Sequence, residues 1–143
     1  MVKRRRAREL ALQALFYMDM SPDTAEEKFA LYCKDFTPPV KASPFFTELV
    51  SGVSDKQSQI DNIIEQYSSN WKLSRMACVD RNVIRIAAYE MLFCEDIPLK
   101  VSINEAIDIG KKFGTDESGA FINGILDSVR KAIEGNKIEK KTQ

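Results

Sequence analysis

Residues 79–94 read VDRNVIRIAAYEMLFC, the most apolar stretch of this 143-residue chain, and their pattern decides the fold. Val79, Val83, Ile84, Ile86, Ala87, Ala88, Met91, Leu92 and Phe93 cover more than one face of a helix. A helix that is apolar on so many sides must be surrounded by other elements, so this one belongs at the centre of a core. Asp96-Ile97-Pro98 closes it, because proline lacks a backbone donor and pushes the residue before it out of helical geometry.

Working outward, the apolar spacing stays helical. Ala7, Leu10, Ala11, Ala14, Leu15 and Met18 form an i, i+3, i+4, i+7 stripe that opens directly on a run of arginines. Ser21-Pro22 is a start signal for a helix burying Ala25, Phe29, Tyr32 or Cys33, and Phe36, and Pro38-Pro39 forces an extended connection after it. Ser43-Pro44 repeats the signal. Phe45, Phe46, Leu49, Val50, Val53, Ile60, Ile63, Ile64 and Tyr67 then continue one stripe, read as a single long helix with Gly52 as the place for a bend. Ser68-Ser69-Asn70 punctuates the chain, and Trp71 and Leu73 offer a hydrophobic anchor beyond it.

On the C-terminal side, Ser102-Ile103-Asn104-Glu105 has the form of a capping box, opening a helix that Gly114 stops after Phe113. A last helix carries Phe121, Ile122, Ile125, Leu126, Val129 and Ile133, and the polar stretch from Gly135 to Gln143 reads as a frayed tail. No window alternates with a strand's period of two. The expectation is an all-α protein of six to seven helices in two small packed bundles. It forms a single domain over 1–143, with an N-terminal lobe to about residue 70, a C-terminal lobe over about 71–135 and a tail over 136–143.

Composition removes most enzyme designs. Histidine is absent, so no Ser-His-Asp triad, Cys-His pair or histidine-ligated zinc is available. Cys33, Cys78 and Cys94 are too few and too far apart for a disulfide framework, and read as small buried hydrophobes. Gly110, Gly114, Gly119 and Gly124 match no phosphate-cradling loop, and neither a metal site nor a cofactor site can be placed. Glu9 and Gln13 interrupt the apolar run that would make the N-terminus a signal peptide, and no stretch approaches a membrane span, so the cytoplasm is the expected compartment.

The formal net charge is zero, from 21 basic and 21 acidic residues, but the charge is unevenly spread. Residues 1–10 carry +4, against −3, −1 and 0 for residues 11–50, 51–100 and 101–143. Lys3, Arg4, Arg5, Arg6 and Arg8 at the start of a helix could neutralise several phosphates, and arginine's planar fork can also stack on splayed bases. Such cations oppose the helix dipole, which speaks mildly for an anionic partner; the alternative is a solvated cationic terminus. A second candidate is Lys111-Lys112-Phe113-Gly114-Thr115-Asp116-Glu117-Ser118-Gly119-Ala120-Phe121, where a helix start and an aromatic could meet a nucleotide. Its alternative is that Phe121 is core and Asp116 or Ser118 caps the helix.

Four segments, in this order, resemble the NusB family of bacterial transcription antitermination factors. They are Arg4-Arg5-Arg6-Ala7-Arg8-Glu9 leading into Ala11-Leu12-Gln13-Ala14-Leu15-Phe16; Arg85-Ile86-Ala87-Ala88-Tyr89-Glu90; Pro98 to Phe113 with Ile103-Asn104-Glu105-Ala106; and Phe121-Ile122-Asn123-Gly124-Ile125-Leu126-Asp127. The resemblance implies a non-catalytic RNA-binding adaptor that joins the ribosomal protein NusE, binds boxA-type RNA and serves the RNA polymerase antitermination complex. It also leaves a homodimer open. It implies RNA contacts at Arg4, Arg5, Arg6 and Arg8, at Phe16 where the family has a tyrosine, at Asp80 where glutamate is usual, and at Glu117 and Phe121. Two other readings remain at this point: a helical protein-interaction module without RNA, and a stand-alone relative of the NusB-like domain of ribosomal RNA cytosine methyltransferases.

Overall fold

The computed structural model describes residues 3–20, 43–69 and 71–138. Six α-helices occur among them: α1 Arg4–Asp19, α2 Pro44–Asp55, α3 Gln57–Gln66, α4 Cys78–Phe93, α5 Leu99–Phe113 and α6 Ser118–Glu134. A 3-10 turn, Leu73–Arg75, leads into α4, and no strand is found among the described residues. The helix expected around Ala25 to Phe36, together with Cys33, lies outside the described residues.

Helix α4 sits at the centre, as its all-round apolarity requires. It packs against α1, α2, α3, α5 and α6, while α1 pairs with α2 and α5 pairs with α6. Ile84, Ala88, Tyr89, Met91 and Leu92 are buried in one core cluster with residues of every other helix. At about 25 cal/mol per Å² of apolar surface, such a helix supplies much of the hydrophobic term of folding.

Three local expectations change. The stripe over 45–67 is two helices rather than one, and the break is at Lys56 (φ −112°, ψ 18°) rather than at Gly52. Gly52 lies inside α2 for a packing reason: a Cβ there would stand 2.3 Å from the Tyr89 ring, so only glycine lets α2 approach α4 this closely. The start expected for α2 does form, with Pro44 in the first turn and Ser43 Oγ accepting from the Phe46 N–H at 3.2 Å.

The capping box at Ser102-Ile103-Asn104-Glu105 does not form. Helix α5 begins at Leu99, directly after Pro98, and Ser102 and Glu105 stand inside it facing other helices. At the end of α6 the described chain closes on a cap. Asn136 takes a left-handed conformation (φ 59°), the Lys137 N–H reaches the Ala132 carbonyl at 2.8 Å, and Ile138 packs on the core. This is a helix C-cap closed by a hydrophobic contact.

Candidate nucleic-acid interface

The first turns of α1 carry the basic cluster, and the fold divides it. Arg8 points inward and is buried. Its Nε and a terminal nitrogen donate to the two carboxylate oxygens of buried Glu90, both at 2.8 Å, and its other nitrogen donates to Glu105 at 3.0 Å. Ser102 Oγ adds a bond to Glu90 at 2.9 Å. Burial works against the charged Arg8 guanidinium, but Glu90 and Glu105 outweigh it and hold its pKa above the ordinary value. Removing one partner from a buried pair of this kind costs about 3–5 kcal/mol, because the other charge is left unpaired.

The remaining cations are graded by exposure. Arg5 forks onto Glu105 and also reaches Asp108 at 3.0 Å, and its bond to Glu105 is the main cause holding that carboxyl below the usual carboxylate range. Arg4 pairs with exposed Asp96 at 3.0 Å and lies 4.7 Å over the Phe45 ring. Arg6, 60% exposed, touches Glu9, which Lys112 also holds at 3.0 Å. Burial raises the Glu9 carboxyl, but Lys112 and Arg6 outweigh it and keep its pKa low. Lys3 is exposed and has no ion pair among the described residues. The pairs of Arg5 with Glu105 and Asp108 and of Lys112 with Glu9 tie α1 to α5, and Arg6 and Lys3 stay open to solvent within the basic cluster.

Two grooves adjoin this edge. The first, about 360 Å³, is lined by Arg6, Glu9, Leu12, Gln13, Phe16, Val79 and Phe113. Helical spacing places Arg6, Gln13 and Phe16 on its α1 wall, and Phe16 and Phe113 are both exposed aromatics. The second, about 280 Å³, is lined by Trp71, Arg75, Met76, Ala77, Asp80, Thr115, Glu117 and Phe121. Neighbours along the chain line both, Val79 beside Asp80 and Phe113 close to Thr115, so the grooves flank the start of α4 and the α5–α6 loop.

The second groove thus brings together Asp80, Glu117 and Phe121, three of the residues expected from sequence and far apart along the chain. Phe121 is half-buried and meets Trp71 edge to face, with ring centroids 5.4 Å apart and planes at 78°. Asp80 is buried, and its Oδ1 has no hydrogen-bond partner. Neither Asp116 nor Ser118 caps α6. Instead Ser118, the first residue of that helix, is buried and accepts from the Thr115 N–H at 2.9 Å, which closes the loop on itself.

Sequence reading missed two features. Glu90 is an acid in the apolar second half of α4, a pattern that demands a buried cation, but nothing local points to Arg8, 82 residues earlier. Trp71 reads from sequence only as a hydrophobic anchor, yet 49% of it is exposed and it forms a wall of the second groove. Among the described residues no group of acids and cysteines could hold a metal, and no helix is long and apolar enough to cross a membrane. Cys94 is buried and its thiol is pushed up to about 12, mainly by burial and then by Glu48, so it stays protonated.

The fold and this edge define a helical module with a basic helix start beside two aromatic-lined grooves. The family model described as "NusB family" matches residues 5–131, and the chain belongs to the NusB family. A transcription antitermination protein NusB from Desulfatibacillum aliphaticivorans is 60% identical over 142 residues, covering 99% of each chain. The solved structure of T. maritima NusB superposes with a TM-score of 0.76 at 36% identity, covering 96% of this chain and 99% of that one. A structure described as antitermination factors NusB and NusE in complex with dsRNA shares the fold, with a TM-score of 0.75 at 24% identity over 90% of this chain and 96% of that one. The chain's function is accordingly transcription antitermination, and it is not an enzyme.

Proposed function

We propose that this chain acts as an RNA-binding adaptor in antitermination, holding boxA-type RNA jointly with the ribosomal protein NusE and so helping RNA polymerase read through terminators. The observation that carries this reading is the convergence of Arg6 and Phe16 on one groove and of Asp80, Glu117 and Phe121 on the groove beside it. Phosphates meet Lys3 and Arg6 at the start of α1, bases stack on the aromatics, and Arg4 and Arg5 contribute on exchanging their acidic partners for phosphate. Arg8 supports this surface from beneath by fixing α1 on α4 and α5. The RNA-binding unit is the whole chain, with lobes over about 1–70 and 71–135 that share α4. Action on nascent RNA supports the cytoplasm as its compartment. NusE with RNA, in a relative of the same fold, supports the choice of partner.

The test is to mix this chain, its cognate NusE and boxA RNA, with each component omitted in turn, and to follow affinity against salt. Lys3→Ala and Arg6→Ala should each lower the slope of log K against log salt by about 1. An unchanged slope in both variants removes the basic turn from the interface, and failure of all three components to assemble removes the adaptor reading.

A further inference from the structure

We propose that Asp108, with Asp96 as a second instance, is a built-in competitor of RNA phosphate: it occupies Arg5 in the RNA-free protein and must let go before that arginine binds. The proposal rests on the RNA-binding reading above and adds a control exerted by two acids that lie outside α1. Arginine's fork fits a carboxylate as well as it fits a phosphate, so an acid in the right place is a phosphate mimic. A helix start crowded with cations also calls for an anion, and here the chain itself supplies one.

The acids around Arg5 divide into a fixed one and a releasable one. Glu105 accepts from Arg5 Nε at 2.7 Å and from buried Arg8 at 3.0 Å, and its side chain is only 19% exposed, so it stays in place. Asp108 stands one turn further along α5 with its side chain 54% exposed, and its one ion pair among the described residues is with Arg5, at 3.0 Å. Its release breaks no other ion pair. Arg4 repeats the arrangement: exposed Asp96, in the connection between α4 and α5, holds it at 3.0 Å. Exposed pairs of this kind are weak and screened by salt, so a phosphate can displace them. The exchange has a signature. A free cation that neutralises a phosphate releases a condensed counterion, and each such contact on a single strand adds about 0.7 to the slope of log K against log salt. A cation that first leaves a carboxylate hands that charge back to solvent, which draws counterions again and cancels part of the release. Arg5 therefore adds less affinity and less salt dependence than Lys3, which has no acid to leave among the described residues.

The full chain is titrated with end-labelled boxA-type RNA over a series of salt concentrations. The forms compared are the parent, Asp108→Asn, Asp96→Asn, Arg5→Ala, and Arg5→Ala combined with Asp108→Asn. Glu95→Gln removes the same charge from an exposed neighbour of Asp96 that has no ion pair among the described residues, and so measures the general effect of losing an acid. Relative to that control, Asp108→Asn should bind RNA about two- to fivefold tighter at low salt, at unchanged helical content. Its slope of log K against log salt should steepen by up to about 0.7. In the Arg5→Ala background the same substitution should do no more than the control does. Asp96→Asn should give a smaller gain, because the Phe45 ring, 4.7 Å from Arg4, still holds that arginine. A gain at Asp108→Asn no larger than at Glu95→Gln, or one that survives without Arg5, overturns the proposal and leaves the RNA-binding reading intact. No gain at Asp96→Asn over the control removes the second instance. No RNA binding by the parent or by any variant overturns both the competitor and the RNA-binding reading.

Discussion

The start of α1 and the groove between α4 and α6 use charge in opposite ways. Five basic residues crowd the first, yet Arg8 is buried on Glu90, Arg5 is held by two acids, and Arg4 and Arg6 each have an acidic neighbour. The second has few charges, but Asp80 keeps an unpartnered oxygen and Trp71 an open ring. Charge density along a sequence therefore measures what a segment carries, and the fold decides how much of it remains for a partner. In this molecule the conspicuous segment is largely committed internally, and the quieter one stays open.

The largest effect that would break this contrast is at Arg8. Arg8→Ala leaves Glu90 buried without its cation, and urea unfolding should show a loss of about 3–5 kcal/mol. Arg6→Ala removes an exposed arginine and leaves Glu9 paired with Lys112, so it should stay within about 1 kcal/mol of the parent. If the two variants were equally stable, the division of the basic cluster into an internal and an external part would be wrong.

Next in size is Phe16. Its ring stands exposed on the α1 wall of the first groove, so Phe16→Ala should weaken RNA binding by about 1–3 kcal/mol while thermal stability stays close to the parent. Phe16→Tyr should bind at least as well, since the ring is kept and a hydroxyl is added. A fall in stability matching the fall in affinity would show the ring to be structural.

The smallest expected effect is acid sensitivity in the seam between α1 and α5. Glu105, paired first with Arg5, has a folded pKa below its unfolded value, and Glu9 follows through Lys112 and Arg6 once the opposing effect of burial is overcome. A carboxylate depressed on folding stabilises fully above its unfolded pKa, about 4.3, and loses that contribution as pH falls through the folded value. Stability should therefore be flat from neutral pH to about pH 5 and decline below it, with Glu105→Gln declining less steeply. A variant that followed the parent's acid profile throughout would remove Glu105 as a cause.

What could be read in the sequence was what depends on local periodicity. The nine apolar positions of residues 79–94 define a central helix with no help from the rest of the chain, and Ser43-Pro44 marks the start of α2 by its own chemistry. The misreadings come from residues whose partners are distant. Ser102 and Glu105 have the spacing of a cap, but they bond to Glu90 and Arg8, and Pro98 had already set the helix start. Gly52 was read as a hinge because glycine bends helices, whereas the Tyr89 ring explains it. Of the expected site, Asp80, Glu117 and Phe121 came from family resemblance, and their meeting in one groove is a property of the fold. Trp71 escaped as a groove residue because nothing local distinguishes a buried anchor from a wall at the surface.

The contact between Arg8 and Glu90 has a consequence for how the chain is made. The two residues are 82 positions apart, and at about 5–20 residues per second of synthesis Glu90 is added roughly 4–16 s after Arg8. Throughout that interval the arginines of α1 have none of the partners from α4 and α5 that later hold them. The nascent N-terminus is thus far more cationic in effect than the finished protein, and it is born beside the ribosome's own RNA. Completion of α4 and α5 converts a generally adhesive segment into a restrained and selective one.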